Sequence, residues 1–246
     1  LIPNGKYYAL LIGNSKYDNW TNLKSPKYDV LEISKILKEN YNFKVITVLD
    51  ASEKEIYQAI RNLSKLTTTK DYVLIYYSGH GQIKANQAYW IPENGSKEWG
   101  NGDWVNIQEL DIYFREIKAH HLAVMVDSCF VGSKFKGNNI LDRLTEEDVL
   151  GIYEENLIDK LDLRARVVLS SGSTGQVSDT AAGTNHSRFA LALLNILNNV
   201  PIPISMTSVA FNINNAFTGT FQKPLLYYPD TWQHGGGDFI FIQKDK

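Results

Sequence analysis

Short apolar runs alternate along the chain with stretches whose apolar residues recur at helical spacing. Uninterrupted apolar runs predict buried strands, and they stand at residues 7–12, 43–49, 71–77, 122–127, 166–171 and 239–242. Helical spacing, as at Val30, Ile33 and Leu37, predicts helices between these runs and two late helices near 187–197 and 205–217. Strands separated by helices predict an α/β fold, with a parallel sheet covered by helices on both faces.

Polar residues indicate where three of the helices begin. Ser25 before Pro26 is typical of an N-cap followed by the first helical position. Ser52 with Glu55 three residues later matches a capping box. Asn106 precedes another amphipathic stretch and is expected to cap it.

Composition excludes several classes of protein. Hydrophobic residues make up 43% and charged residues 21%, which is ordinary globular usage and not that of a disordered chain. The one cysteine excludes an intrachain disulfide framework and a cysteine-rich metal site, and it favours a reducing, cytoplasmic setting. A net charge of −2 gives no basic field for nucleic acid, and no apolar run approaches the ~18 residues of a membrane span.

The first residues, Leu1 to Lys6, show no basic and apolar pattern of a signal peptide. They also lack an initiator Met, so we expect an excised or processed form and a regulatory domain outside this sequence.

Reactive side chains follow two of the predicted strands. Ser78-Gly79-His80-Gly81 comes after one strand and Asp127-Ser128-Cys129 after the next long one. The carboxyl ends of parallel strands share one edge of the sheet, so an imidazole and a thiol are expected to meet there, as nucleophilic catalysis requires. The alternatives are a cysteine that only fills the core and glycines that only form a tight turn.

These two motifs resemble the caspase, metacaspase and paracaspase superfamily of cysteine peptidases (family C14, clan CD). Residues 10–14 and 23–30 are similar to the paracaspase and metacaspase start, in the style of prokaryotic caspase domains. The Gln-Ala that precedes the animal caspase cysteine is absent, and Phe130 stands where metacaspases commonly have His. The resemblance implies a caspase-like fold with a mainly parallel six-stranded sheet. It implies one domain over 1–246, with large-subunit-like residues 1–132, a linker at 133–165 and small-subunit-like residues 166–246.

The resemblance also implies a role for each site residue. Cys129 would be the nucleophile and His80 the general acid/base, with the N–H groups of Cys129 and Gly81 as the oxyanion hole. The substrate-binding positions would be Asp29, Ser78, Asp127 and Asp179. Converging carboxylates bind a guanidinium or an ammonium, which predicts cleavage after Arg and then Lys. The alternatives are a helix-dipole role for Asp29, a solvated loop for Asp179 and a plain turn for Ser78.

A peptidase of this kind acts on a protein or peptide with Arg or Lys before the scissile bond. No cofactor, metal, nucleic acid or membrane is expected as a partner, and calcium activation stays open. The rival interpretations are a catalytically silent scaffold of the same fold, an aspartate-directed caspase and a nucleotide-binding domain. The Cys–His pair argues against the scaffold, the acidic positions against aspartate, and the lack of a phosphate loop against a nucleotide.

The polar segment 133–163 is the best candidate for an exposed linker. An Arg/Lys-directed enzyme could cut itself there, after Lys134, Lys136, Arg143 or Lys160; an ordered helical insertion is the alternative. Of the remaining candidates, His120 and His121 are expected in an exposed connection, His186 before a helix and His234 in a Gly-rich loop. Trp99, Trp104 and Trp232 stand in loop-like stretches, where one of them could wall a cleft.

Overall fold

A computed structural model describes residues 3–129, 139–149, 157–172, 179–199 and 203–244. The strands are β1 (Tyr7–Gly13), β2 (Lys44–Leu49), β3 (Tyr72–Ser78), β4 (Gly81–Lys84), β5 (Gln87–Trp90), β6 (Val105–Asn106), β7 (His121–Asp127), β8 (Ala165–Ser170), β9 (Ile204–Ser205), β10 (Leu225–Tyr227) and β11 (Ile240–Phe241). The helices are α1 (Ser25–Asn40), α2 (Glu53–Leu66), α3 (Ile107–Glu116), α4 (Leu157–Asp162), α5 (Arg188–Asn199) and α6 (Met206–Ala216). A short 3-10 helix spans Asp230–Trp232.

The central sheet has six strands in the order β10-β8-β7-β3-β1-β2. All pairs are parallel except β10 with β8, which confirms the mainly parallel α/β fold. The sixth strand is not the predicted run at 239–242, because β11 pairs with β9 in a separate two-stranded sheet. The edge strand β10 is only three residues long and has Pro224 and Pro229 near its two ends, so it gives no strand-length pattern.

Alternate residues of each central strand face two different cores. On β1, Ala9 and Leu11 belong to the core with α1, α5 and α6, whereas Leu10 and Ile12 belong to the core with α2 and α3. All four side chains are fully buried. Burial of a leucine or isoleucine contributes about 1.5–3 kcal/mol, so such two-sided strands anchor the layers. Their uninterrupted apolar runs follow directly from this arrangement.

The strand register aligns the ends of three central strands. Gly13 of β1 lies beside Ser78 of β3, and Ser78 lies beside Asp127 of β7. The loops after these strands therefore leave the sheet at the same edge, which is where ligands bind in open α/β sheets.

Two of the three predicted helix starts are confirmed. Ser52 and Glu55 form the capping box of α2, and the Asn106 side chain accepts the N–H of Gln108 at the start of α3. The expectation for Ser25 was wrong by one residue, since α1 begins at Ser25 and the cap position is Lys24. Neither side chain caps this helix; the carboxylate of a distant residue does so, as described below.

A three-stranded antiparallel sheet, β4-β5-β6, lies outside the sequence predictions. Its hairpin turns at Ala85 and Asn86, both with positive φ (48° and 62°). Trp90 at the end of β5 is fully buried and stacks on Tyr77 of β3, with ring centroids 4.1 Å apart. The small sheet thus packs against the strand that carries His80 just beyond its end.

The expected exposed position of His121 was wrong. His121 is fully buried as the first residue of β7, and its Nε2 lies 3.0 Å from the carbonyl oxygen of Leu163. Burial lowers its pKa to about 3, with a smaller contribution from His120. The segment after α4 covers this edge of the sheet, which the local sequence around His121 does not show. Trp104 and Trp232 are buried in the cores. Trp104 and the exposed Trp99 border a separate small pocket, and none of the three tryptophans lines the cleft described below.

The predicted linker is ordered where the structure describes it. The N–H of Ile140 donates to the carbonyl of Leu226 on β10 at 2.8 Å, and four side chains of the segment are buried: Leu141, Val149, Leu157 and Leu161. Arg143 is exposed, whereas Lys160 lies on α4 and donates from Nζ to the carbonyl of Gly236. Lys134 and Lys136 lie outside the described residues.

Within the described ranges, none of the helices combines the length and the apolar character that a bilayer span requires.

Candidate active site

A cleft of about 510 Å³ opens at the edge where β1, β3 and β7 end. Five of the residues singled out from the sequence line it: Ser78, His80, Asp127, Cys129 and Asp179. The rest of its lining is Thr21, Leu23, Ser25, Pro26, Gly79, Ser128 and Ser187. One cavity therefore joins the imidazole, the thiol and two of the three predicted carboxylates.

The His80 ring is held by a main-chain carbonyl. Its Nε2 lies 2.7 Å from the carbonyl oxygen of Thr21. Because a carbonyl oxygen only accepts, Nε2 carries the proton in the neutral ring and Nδ1 keeps the lone pair. Burial lowers the pKa of His80, and this is partly offset by the Thr21 carbonyl and Asp179. The ring is thus prepared to act as a base at Nδ1 near neutral pH.

The His80 main chain is fixed on both sides by tyrosine hydroxyls. Its N–H donates to Tyr17 Oη at 2.9 Å, and its carbonyl accepts from Tyr77 Oη at 2.9 Å. Gly79 is needed beside it, because a Cβ there would lie 2.7 Å from Tyr77 Oη and 2.8 Å from Tyr17 Oη. The rings of Tyr17 and Trp20 also pack on the imidazole, at centroid distances of 4.7 and 5.7 Å.

Cys129 stands two residues beyond the end of β7 and is half-buried. It lines the cleft and does not fill the core, which removes the main structural alternative for a single cysteine.

Gly81 is the first residue of β4 and is not among the residues that line the cleft. The carbonyl of His80 accepts the N–H of Ile91, the residue directly after β5. Along an antiparallel ladder, hydrogen-bonded residue pairs alternate with pairs that share no ladder hydrogen bonds. The next pair, Gly81 with Trp90, is therefore the kind without ladder hydrogen bonds, so the Gly81 N–H points away from β5.

Asp127 forms the floor of the cleft and is 4% exposed. Its Oδ2 accepts a short hydrogen bond from Ser187 Oγ and a longer one of 3.4 Å from Tyr76 Oη. Its Oδ1 has no hydrogen-bond partner among the described residues. Burial raises the pKa of Asp127 to about 6, although the hydroxyls of Ser187, Ser171 and Tyr76 oppose the shift. The carboxyl is therefore mostly ionised at neutral pH.

Asp29 lies behind the cleft and does not line it, in contrast to the expectation from the sequence. It is fully buried on α1, where Oδ1 lies 2.7 Å from His186 Nδ1 and Oδ2 accepts the N–H of Ser187 at 3.3 Å. Burial, reinforced by the charge of Asp127, raises its pKa to about 9.

Asp179 lines the cleft and also caps α1. Its carboxylate accepts the N–H groups of Lys24 and Ser25, at 2.9 and 3.0 Å, and the Ser25 hydroxyl at 3.0 Å. A carboxylate at a helix N-terminus is stabilised by the unpaired N–H groups and the helix dipole. The Asp179 carboxylate is thus held in place by three hydrogen bonds, in contrast to the alternative interpretation of Asp179 as a solvated loop residue.

Sequence reasoning missed four contributors: Tyr17, Trp20, Thr21 and Ser187. Thr21 acts through its carbonyl, which any residue would supply, so no sequence pattern could identify it. Ser187 could have been identified, because a serine at the predicted start of a helix is a typical N-cap. In the structure its Oγ does cap α5, by accepting the N–H of Ala190. Among the described residues, no group of three or more His, Cys, Asp and Glu could hold a metal ion.

Known structures share this fold. Caspase-1 from Spodoptera frugiperda superposes with a TM-score of 0.67 at 15% identity, covering 99% of this chain and 92% of that one. A crystallised protein from Geobacter sulfurreducens gives a TM-score of 0.65 at 18% identity, covering 95% of this chain and 99% of that one. These similarities concern the fold alone.

Curated proteins and a family model match the sequence itself. The mucosa-associated lymphoid tissue lymphoma translocation protein 1 of Homo sapiens is 29% identical over 121 residues, which are 49% of this chain and 15% of the human protein. The Mus musculus homolog is 29% identical over the same length and is covered to 14%. The model of the caspase domain of C14 peptidases matches residues 6–229. With its motifs at one cleft of this fold, the chain belongs to the caspase-domain family.

Proposed function

We propose that this chain is a cysteine endopeptidase that cleaves after Arg, and less efficiently after Lys, with Cys129 and His80 as its catalytic pair. The observation that carries the proposal is one cleft lined by a thiol, an imidazole and the carboxylates of Asp127 and Asp179. Membership of the caspase-domain family supports the same chemistry.

The reaction follows from the state of the His80 ring. Nδ1 accepts the thiol proton of Cys129, and the thiolate attacks the carbonyl carbon of the scissile peptide. The N–H groups of Cys129 and Gly81 are proposed to stabilise the negative oxygen. His80 then gives its proton to the leaving amine as the C–N bond breaks, and water, activated by the same ring, hydrolyses the acyl-enzyme and regenerates the thiol.

Specificity for a basic residue rests on the charge in the cleft. Asp127 lines the cleft and keeps one acceptor, Oδ1, without a hydrogen-bond partner among the described residues, and Asp179 adds a second carboxylate to the lining. A guanidinium has five donors in a planar fork and contacts two carboxylates better than an ammonium does, so Arg is favoured over Lys. An aspartate side chain would be repelled by both groups. Ser78 is proposed to line the neck of this pocket.

The alternative is a silent scaffold with the same fold. The buried carboxyl of Asp127 and the hydrogen bonds that fix the His80 main chain argue against a scaffold. A buried carboxyl group destabilises the folded state and adds no apolar packing, so a scaffold would have no need of it.

The test is hydrolysis of fluorogenic peptides that end in Arg, Lys, Asp or Leu, with and without calcium. We expect wild-type turnover in the order Arg, Lys, and then little for the others. Cys129→Ala and His80→Ala should lose activity by a factor of about 10³ or more while keeping the thermal unfolding temperature. Cys129 is the only cysteine, so turnover by Cys129→Ala would contradict the whole class of cysteine peptidase.

A further inference from the structure

A loop described from Asp179 to Ser187 lies against the first turns of α1 and is held there at two points. At one point, Asp179 accepts hydrogen bonds from the start of the helix, at Lys24 and Ser25. At the other, His186 Nδ1 lies 2.7 Å from Asp29 Oδ1. Ser25 and Asp29 are four residues apart on a helix and so share one face, which places both contacts on the same side of α1.

The second contact continues to the floor of the cleft. The N–H of Ser187 donates to Asp29 Oδ2, so both oxygens of Asp29 are engaged by the end of the loop. The Ser187 hydroxyl accepts the N–H of Ala190, which leaves its single proton for Asp127 Oδ2. The direction of each hydrogen bond is therefore fixed from Asp29 to Asp127.

The loop itself is also tied at its end. The N–H of His186 donates to Thr184 Oγ1 at 3.2 Å, and its carbonyl accepts the N–H of Ala181 at 2.7 Å. The His186 side chain keeps 23% of its surface exposed, whereas Asp29 has none. The imidazole thus covers Asp29 from the solvent side.

We propose that His186 is a positioning residue for substrate charge: by binding Asp29 it fastens the loop of Asp179 and Ser187, and so it orients Asp127 toward a basic side chain. Asp29 is then the partner through which His186 fastens the loop. The inference rests on the proposed function, since it assigns how that cleft distinguishes a cation from a neutral side chain.

Three titratable groups face His186 and Ser187 from the neighbouring elements. Asp29 faces His186 from α1, and Asp127 faces Ser187 from β7, with Tyr76 of β3 beside it. One proton lies between His186 Nδ1 and Asp29 Oδ1, whichever of the two carries it. An asparagine at 186 can either donate or accept there, whereas phenylalanine keeps the ring and can do neither.

The test compares wild type with His186→Ala, His186→Phe and His186→Asn on a pair of peptides that end in Arg or in its neutral analogue citrulline. We expect Ala and Phe to raise KM for the Arg peptide about tenfold, since each removes the hydrogen bond that fastens the loop to Asp29, with kcat within about twofold. The ratio of kcat/KM for Arg over citrulline should fall by the same factor, and Asn should recover most of it. His120 is a half-buried histidine just before β7, at the end of that strand away from the cleft. His120→Ala is therefore the matched control and should keep the wild-type ratio.

A second measurement separates positioning from damage to the catalytic pair. The rate of alkylation of Cys129, the single thiol, by iodoacetamide should be unchanged in all four variants. If the Ala variant does not fold, the comparison of the Phe variant with the Asn variant tests the inference in its place. An unchanged Arg/citrulline ratio in a wild-type-like fold, or an equal loss of kcat and alkylation, overturns the inference while leaving the proposed function intact. A wild type that cleaves neither peptide overturns both.

Discussion

At the scale of single residues, the two carboxyl groups nearest the cleft floor differ in charge because their surroundings differ. Asp127 accepts hydroxyl hydrogen bonds, and its pKa is raised only to about 6. Asp29 is fully buried next to that charge, and its pKa rises to about 9. Two carboxylates this close do not both ionise readily, so only the one that reaches the cleft is charged at neutral pH.

The acid limit of the reaction should carry the signature of Asp127. An acid with a raised pKa is ionised only above it, so kcat/KM for the Arg peptide should fall as pH drops below about 6. The citrulline peptide carries no charge that could pair with Asp127. Its kcat/KM should therefore lack the fall that protonation of Asp127 causes and should reflect only the titration of the catalytic pair. Asp127→Asn should reduce the Arg rate about tenfold or more and remove the difference between the two profiles. Profiles that coincide in wild type would exclude Asp127 as the group that binds the cation.

At the scale of elements, the loop between β1 and α1 is what positions the His80 ring. Asp50 Oδ1 accepts the N–H groups of Ser15 and Lys16, and Asn22 Oδ1 accepts that of Tyr17. With its main chain fixed in this way, the loop presents the Thr21 carbonyl to the imidazole. A residue without a reactive side chain thereby sets the tautomer of the candidate base.

Tyr17→Phe tests this loop. The change removes the acceptor of the His80 N–H and should lower kcat about tenfold, with a stability cost of about 1 kcal/mol. Stopped-flow and steady-state rates on the Arg peptide measure the first effect, and urea unfolding measures the second. Tyr113→Phe on α3 removes a hydroxyl that accepts from the exposed Arg61, and it should change neither the rate nor the stability. Equal effects in both variants would mean that the Tyr17 hydroxyl has no special role.

The amino-terminal end of β7 should make the fold sensitive to acid. His121 has a pKa near 3 when folded and about 6.5 when unfolded, so the unfolded chain binds the proton first. Its linkage contribution to the free energy of unfolding is full above about pH 6.5, and it falls by about 2 kcal/mol by about pH 5. Urea unfolding at these two pH values should show a smaller difference for His121→Gln, which keeps a donor for Leu163. His120→Gln should retain most of the wild-type difference. If that difference disappears in His120→Gln and persists in His121→Gln, then His121 is not the source of the acid sensitivity.

At the scale of the whole molecule, the sequence predicts what apolar periodicity controls and misses what distant segments create. The five parallel strands and the meeting of His80 with Cys129 follow from buried runs and from the common edge of a parallel sheet. The place of Asp29 does not follow, because its burial depends on His186, far along the chain. The same holds for the cap of α1, which Asp179 supplies, since local propensity at Ser25 carries no information about it.

Long-range pairing also bears on whether the chain processes itself. We propose that residues 1–132 and 166–246 act as large-subunit-like and small-subunit-like parts joined by 133–165. The two parts share the central sheet, because β7 pairs in parallel with β8 over six positions, from His121 with Ala165 to Val126 with Ser170. A cut between them would therefore leave the parts associated.

Self-cleavage, where it occurs, should be confined to Lys134 and Lys136. A protease cleft binds its substrate as an extended strand, and Arg143 donates its N–H to the carbonyl of Ile140 within a turn, while Lys160 is helical and bonded to Gly236. Incubating wild type beside Cys129→Ala and measuring intact masses checks this, with gel filtration to test whether any fragments stay together. Fragments that meet after Arg143 or Lys160 in wild type alone would show that this segment unfolds to reach the cleft. Fragments present in both proteins would instead point to a contaminating protease.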